Sequence, residues 1–246
     1  MEGIAVGSDG LSVGPLAPAS AAAAIDQRFP LSNDFYRRIV DGILAELQVH
    51  DGKAVLQPSH DFADPALIRG LAEGVEGILV VGEDGPAMGR FLSQCPVPVV
   101  LVDIIDTSAT HEQVTSDNFG GIGQAVAHLA DLGHRSLGLI AGPDVPATRE
   151  RVEAFRYHVQ RLGASIPDGW EAFPYRHIAG TAEALTPRLR MADRPTGICC
   201  CNDAGALAVL RAADAAGLRI PQDLSVVGYD DTDSAALVHV GPGTVM

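Results

Sequence analysis

Three widely separated side chains are suited to bind a small polar molecule. Arg151 offers a planar fork of N–H donors that fits vicinal hydroxyls or a carboxylate. Asn202 supplies a donor and an acceptor, and Asp230 is an acceptor. Asn202 and Asp230 each follow a short apolar run that predicts a buried strand. Because open parallel sheets bind ligands beyond the carboxyl ends of their strands, Asn202 and Asp230 are both placed where a ligand could bind.

Each of these residues also has a purely structural interpretation. Asp230 belongs to an Asp-Asp-Thr-Asp run, which is ordinary turn chemistry. One of Asn202 and Asp203 should cap the helix that starts there, and the other is then free to face a ligand. Arg151 could be a solvated charge paired with a neighbouring glutamate in the first turn of a helix at 148–162, although a cation there opposes the helix dipole.

The predicted elements alternate as in an α/β protein. Helical segments with apolar residues at helical spacing separate short apolar strands. Strands are predicted at residues 4–7, 53–57, 77–81, 97–102, 137–140, 170–173, 198–201 and 224–227. Asp64-Pro65 should open a helix, and the Ala- and Pro-rich residues 11–24 should be a loop. Gly133 predicts a helix end, where His134 and Arg135 would have a structural role.

A polar stretch at residues 106–112 interrupts this alternation. We therefore place a boundary near Thr115, which gives an N-terminal lobe at 1–115 and a C-terminal lobe at 116–241. A site between two successive α/β lobes is the natural expectation, because interfaces between domains favour small-molecule binding.

Composition excludes several classes of function. The net charge is −14, with 31 acidic and 17 basic residues, which argues against direct binding of a phosphate backbone. No apolar run approaches the ~20 residues that a membrane span needs, and the N-terminus lacks the basic region of a secretory signal. We expect a cytoplasmic protein without membrane contact.

The spacing of the cysteines argues against a metal site, and the absence of catalytic motifs argues against catalysis. Cys199, Cys200 and Cys201 are consecutive and lack metal-site spacing, so they should be small apolar residues of a buried strand. The sequence has no Gly-x-Ser-x-Gly, Walker loop or Gly-x-Gly-x-x-Gly, and no histidine near Asp230. We therefore expect neither an enzyme nor a bound cofactor or metal.

Four segments together resemble the effector-binding region of the lactose-repressor (LacI/GalR) family of bacterial transcription regulators. They are SDNFGG at 116–121, HLADLGHR at 128–135, CNDAGA at 201–206 and GLRIPQDLSVVGYDD at 217–231. The resemblance extends from about residue 76 to residue 231. It implies two Rossmann-like parallel-sheet lobes with a ligand cleft between them, a fold like that of type I periplasmic binding proteins. It also implies that residues 242–246 start a crossover back to the first lobe.

The resemblance implies roles for individual residues. Arg151, Asn202 and Asp230 match ligand-contacting positions of the second lobe, and Asp231 would fix the turn. Phe35 and Tyr36 resemble paired aromatics of the first lobe, although Asp34 replaces the family's proline. One ring would stack on a sugar, while the other stays in the helix core. Further candidates at strand ends, at the crossover and in a loop are Asp103, Ser8, Ser116 and Tyr175.

The implied function is effector binding within a homodimeric transcription regulator. The effector would be a sugar, polyol or nucleoside, and its preference for one closure of the lobes would control DNA binding. Operator DNA would be contacted only through a helix-turn-helix, which these residues lack. The alternative is a solute-binding protein that serves a sugar transporter.

Overall fold

The computed structural model describes residues 20–26, 34–59, 64–82, 88–106, 110–236 and 243–245. The chain divides into two compact units, Met1–Thr115 and Ser116–Met246. Each unit contains one parallel sheet with helices between its strands, so the prediction of an α/β fold with two parallel-sheet lobes is confirmed. The strand predicted at residues 4–7 and the candidate Ser8 lie outside the described residues.

The first unit has a five-stranded sheet in the order β2-β1-β3-β4-β5. Its elements are β1 (Ser20–Asp26), α1 (Asp34–Val49), β2 (Lys53–Ser59), α2 (Pro65–Ala72), β3 (Gly77–Val81), α3 (Met88–Gln94), β4 (Val99–Val102) and β5 (Glu112–Val114). Helix α2 begins as predicted, because the Asp64 carboxylate accepts a hydrogen bond from the Ala66 N–H at 2.8 Å and Pro65 occupies the first turn.

Two strands of the first unit contradict the sequence prediction. Strand β1 occupies part of the stretch expected to be a loop, and it pairs with both β2 and β3. A run of alanines has low β propensity and weak hydrophobicity, so only pairing on both sides identifies it as an internal strand. Strand β5 follows the polar interruption, and all three of its residues are exposed. An exposed edge strand has no burial pattern that a sequence could reveal.

The second unit has a four-stranded sheet in the order β6-β7-β8-β9. Its elements are α4 (Asn118–Asp131), β6 (Leu137–Ile140), α5 (Pro146–Arg161), α6 (Ile178–Leu189), β7 (Gly197–Cys200), α7 (Asp203–Ala216), β8 (Ser225–Tyr229), α8 (Asp233–Ala236) and β9 (Gly243–Val245). One buried cluster joins this sheet to α4 and α5, and another joins it to α6 and α7. No helix within the described residues is long and apolar enough to span a bilayer.

The consecutive cysteines follow the two-residue period of a strand. Cys199 and Cys201 lie in the cluster beneath α4 and α5, whereas Cys200 lies in the cluster on the opposite face. All three are buried thiols, which confirms the prediction of a strand covered on both faces. Burial raises the pKa of the Cys201 thiol to about 11, so these side chains stay neutral and apolar.

The amino-terminal edge of the second sheet is held by the predicted helix end. Gly133 is left-handed with φ 93°, and Arg135 Nη1 donates to the Ala130 carbonyl at 2.7 Å. The His134 ring lies 2.9 Å from the hydroxyls of Thr196 and of Ser225, one from each of its nitrogens. The structural interpretation of His134 and Arg135 is therefore confirmed.

Three predicted boundaries in the second unit need correction. Residues 170–173 are not a strand, because Phe173 forms only an isolated bridge to Ile140. Residues 243–245 form β9, an edge strand parallel to β8, where we expected a crossover to begin. Helix α5 begins at Pro146, two residues earlier than predicted, because proline is favourable in a first turn. Arg151 therefore lies in the second turn, where the helix dipole has little effect on a cation.

Candidate functional site

Arg151 lies buried at the carboxyl-terminal edge of the second sheet, and the residue is 7% exposed. Its Nε donates a hydrogen bond to Asn118 Oδ1 at 2.7 Å. Its Nη1 donates to the carbonyl of Cys201, directly after β7, and lies 3.5 Å from Asp230 Oδ1, directly after β8. The interpretation of Arg151 as a solvated charge paired with a neighbouring glutamate is therefore wrong.

The Tyr229 ring forms the floor under this guanidinium. The Arg151 Cζ atom lies 3.8 Å from the ring centroid, a cation–π arrangement. The Tyr229 hydroxyl donates to the Asp117 carbonyl at 3.3 Å, and burial raises the pKa of Tyr229. A Cβ atom on Gly121 would lie 2.7 Å from this ring. Gly121 therefore allows α4 to approach the ring on which Arg151 stacks.

Asn118 links Arg151 to a second carboxylate. Its side-chain oxygen accepts from Arg151, and its Nδ2 donates to Glu150 Oε2 at 2.7 Å. Asn118 is 2% exposed, so both ends of its amide have partners in a site that excludes most water. From the sequence we did not predict a role for Asn118, and we considered Glu150 only as a possible ion-pair partner of Arg151. The only available signal was an asparagine within the resembling segment SDNFGG at 116–121.

A strained turn places the Asp230 carboxylate. Asp230 and Asp231 both adopt positive φ values, 99° and 50°, which are unusual for residues with side chains. The next residue is tied down, because Thr232 donates from its N–H and its hydroxyl to Asp203 Oδ2 at 2.7 and 3.0 Å. Asp203 is 1% exposed, so this buried carboxylate helps to hold the turn that we had assigned to Asp231.

The structure shows that Asn202, and not Asp203, supplies the side-chain cap of α7. The Asn202 side-chain oxygen caps α7 by accepting from the Gly205 N–H at 2.8 Å, whereas Asp203 is buried against the turn after β8. Asn202 adjoins Cys201, whose carbonyl accepts from Arg151. A ligand contact from Asn202 stays a prediction, and it falls to the Nδ2 end of the amide.

The first-unit candidates form a separate group at the edge of their own sheet. Tyr36 on α1 is buried, and its hydroxyl donates to Asp103 Oδ2 at 2.9 Å. Phe35 packs edge-to-face on Tyr36, with ring centroids 5.1 Å apart. Asp103 follows β4 with a left-handed φ of 58°. Phe35 is more exposed than Tyr36, so ligand stacking stays a prediction for Phe35.

The two remaining candidates, Ser116 and Tyr175, form no hydrogen bond with Arg151 among the described residues. The Ser116 carbonyl accepts from the Asn118 N–H at 2.9 Å, just before α4. Tyr175 is half-buried against the cluster beneath α6 and α7, and burial raises its pKa. The Tyr229–Arg151 stack belongs to the opposite face, so Tyr175 is not part of it.

Comparisons with known proteins place this geometry in context. Residues 126–246 match the model of a periplasmic binding protein-like domain. The chain is 31% identical over 172 residues to the HTH-type transcriptional repressor PurR of Photobacterium profundum, which covers 68% of this chain and 52% of that protein. It is also 31% identical over 167 residues to the ribose operon repressor of Escherichia coli strain K12, covering 67% of this chain and 51% of that protein. The chain thus spans about half the length of these curated relatives.

A solved structure with a similar fold contains a sugar. The transcriptional regulator CelR in complex with cellobiose superimposes with a TM-score of 0.75 at 26% identity. The match covers 93% of this chain and 72% of the CelR chain. The predicted fold like that of type I periplasmic binding proteins is therefore confirmed.

Proposed function

We propose that this chain, which belongs to the LacI/GalR family of transcription regulators, binds the small polar effector of such a regulator. The observation that carries the proposal is the buried Arg151 guanidinium, which is held beside Asp230 where β7 and β8 end. A buried cation fixed by several partners is suited to donate hydrogen bonds without reorganising when a ligand arrives. The proposed effector class is a sugar, polyol or nucleoside.

The proposed contacts combine complementary groups. Arg151 donates through Nη2, Asn202 donates through its amide nitrogen, and the Asp230 carboxylate accepts from ligand hydroxyls. Phe35 would stack on an apolar ligand face, and the secondary contacts would come from Tyr36, Asp103, Ser116 and Tyr175. The names of two similar proteins, a ribose operon repressor and a regulator in complex with cellobiose, favour sugars within the proposed class.

The proposed regulation is coupling between ligand binding and DNA binding. An effector that binds one closure of the lobes more tightly shifts the population towards it, and only this difference in affinity can change the affinity for DNA. Operator DNA would be bound by a helix-turn-helix outside these residues, and the working form would be a homodimer. Size-exclusion chromatography with light scattering tests the dimer, which a monomer mass over a wide concentration range would contradict.

Isothermal titration against a panel of D-ribose, cellobiose, sorbitol and adenosine tests the binding function. At least one member should bind saturably, and Arg151→Ala or Asp230→Ala should weaken it by at least about a hundredfold, because each removes a buried polar partner. Arg156→Ala is the matched control, since that arginine lies on the same helix in an exposed pair with Glu171. Unchanged affinity in both site variants would overturn the site, and turnover of a panel member would favour an enzyme.

A further inference from the structure

The orientation of the Asn118 amide is fixed by its neighbours. Glu150 Oε2 lies 2.7 Å from Asn118 Nδ2, and an ionised carboxylate can only accept hydrogen bonds. The nitrogen end of the amide must therefore face Glu150, which turns the oxygen end towards Arg151 Nε at 2.7 Å. These two hydrogen bonds form a relay in which Arg151 donates to Asn118 and Asn118 donates to Glu150.

This relay occupies part of the donor fork of Arg151. Bidentate binding of a carboxylate uses two adjacent N–H groups on one edge, either Nε with Nη2 or Nη1 with Nη2. Asn118 occupies Nε, and the Cys201 carbonyl and Asp230 occupy Nη1. Among the residues that the structure describes, Nη2 makes no hydrogen bond. Each edge therefore retains Nη2 alone, which suits a single hydroxyl or ring oxygen.

The charges around Arg151 also disfavour a ligand carboxylate. Asp230 Oδ1 lies 3.5 Å from Nη1, and Glu150 is one amide away on the other side. A ligand carboxylate would add a negative charge next to Asp230 and Glu150, and like-charge repulsion is strong where water is largely excluded. A neutral hydroxylated ligand avoids this cost and can still donate to Asp230.

We propose that Asn118, oriented by Glu150, is a positioning residue that makes the site selective for neutral hydroxylated ligands over the corresponding carboxylates. It acts by occupying Nε, so that Arg151 presents Nη2 alone. This selectivity rests on the proposed function, because it concerns the ligand of the same site. The orientation of Arg151 by Asn118 is a property of the protein without ligand.

Matched pairs of neutral and acidic ligands measure the selectivity. The wild type should bind D-ribose more tightly than D-ribonate, and cellobiose more tightly than cellobionate, by at least about tenfold. Asn118→Leu frees Nε and removes an acceptor, so affinity for the sugar should fall about tenfold while the sugar-to-acid ratio moves towards unity. Gln124→Leu, at an exposed position on the same helix, is the control and should leave the ratio unchanged. A wild-type preference for the acid, or an unchanged ratio in Asn118→Leu, would overturn the proposal.

Exchanging the amide and the carboxylate between positions 118 and 150 distinguishes a positioning role of Asn118 from a general loss of structure. Asn118→Asp places two carboxylates face to face and should broaden or shift the Arg151 Nε–Hε resonance in a ¹H–¹⁵N spectrum of the free protein. Glu150→Gln alone should change it little, because the Gln oxygen still accepts. The double variant Asn118→Asp/Glu150→Gln should restore the resonance, because the introduced amide then donates to the introduced carboxylate and the relay runs again.

The NMR spectrum tests the positioning role of Asn118, whereas the titrations test ligand binding, so their outcomes distinguish the two proposals. Additive effects in the double variant would overturn the positioning role of Asn118. Restoration of the resonance together with no binding by any panel member would overturn the proposed function and the selectivity, and would leave the positioning role supported. Restoration of both the resonance and the wild-type sugar-to-acid ratio supports the whole proposal.

Discussion

The carboxyl-terminal edges of the two sheets are built from different chemistry. In the second unit, the Arg151 cation is fixed by a ring, an amide and a backbone carbonyl, with Asp230 beside it. In the first unit, the Tyr36 phenol donates to Asp103, and the Phe35 ring lies against it. The second edge therefore positions charge before a ligand arrives, whereas the first edge offers aromatic surface and a carboxylate.

The second edge rests on a well-packed sheet. The second sheet lies between two extensive buried clusters, one on each face. In the first unit, one buried cluster lies beneath α2 and α3, and Tyr36, Val40 and Val81 are described members of another beneath α1. A rigid polar site needs a well-packed support, so we expect the larger mutational effects at the second edge.

The largest expected effect on stability is that of Arg151→Ala. It removes the charge partner of Asp230 and the donor to the Cys201 carbonyl, so the free energy of unfolding should fall by about 3 kcal/mol. Urea denaturation checks this value. Arg156→Ala is the control and should cost less than about 1 kcal/mol, because its pair with Glu171 is exposed. Equal costs in the two variants would show that the second edge is not organised around Arg151.

A smaller effect is expected from Asp203→Ala, which tests the turn that carries Asp230. The variant loses two hydrogen bonds from Thr232 next to a strained turn, so the free energy of unfolding should fall by about 2 kcal/mol. Affinity for the effector should fall as well. Asp214→Ala, at an exposed position on the same helix, should stay within about 0.5 kcal/mol of the wild type. Thermal melts and titrations compare the two, and an unchanged affinity in Asp203→Ala would separate Asp203 from the site.

At the first edge, Tyr36→Phe should cost only about 1 kcal/mol of unfolding free energy, because it removes one hydrogen bond to Asp103 and keeps the ring. Chemical denaturation measures the change, with Tyr157→Phe at an exposed position as the control. A loss of stability or affinity as large as that of Arg151→Ala would remove the contrast between the two edges.

The smallest expected effect is a pH dependence of stability that arises from His134, at the amino-terminal edge of the second sheet. Burial lowers the pKa of His134 below its ordinary value of 6.5. The unfolded chain then binds the proton more readily, so stability is full above that ordinary value and decreases as pH falls through it towards the folded pKa. Urea denaturation above and below this value should show a weaker pH dependence in His134→Gln than in His128→Gln, an exposed control. An identical pH dependence in the two variants would contradict a lowered pKa of His134.

Local chemistry explains which parts of the fold could be predicted from sequence. Asp64-Pro65 and Gly133 act within one helical turn, and the cysteines belong to a continuous apolar run, so neighbouring residues suffice to interpret them. Strand β1 is different, because its alanines acquire strand character only by pairing with β2 and β3. Strand β5 is exposed, and nothing in its residue types marks it.

The candidate site also has one part that could be predicted from the sequence and another that could not. The rule that ligand groups follow strand ends indicated Asp230, and the family resemblance indicated Arg151; the structure brings the two side chains within 3.5 Å. The roles of Asn118 and Glu150 depend on how α4 and α5 pack together, which no local pattern specifies. The burial of Asp203 depends on the turn after β8, which lies 29 residues further along the chain.

A ¹H–¹⁵N NMR titration with the tightest binder of the sugar, polyol and nucleoside panel tests the central claim most directly. We expect saturable shifts at the Arg151 side chain and at the backbone amides around Asn202 and Asp230. Gly133 and His134, at the opposite edge of the same sheet, should not shift. Saturable shifts confined to that opposite edge, or binding that leaves Arg151 unperturbed, would contradict the account.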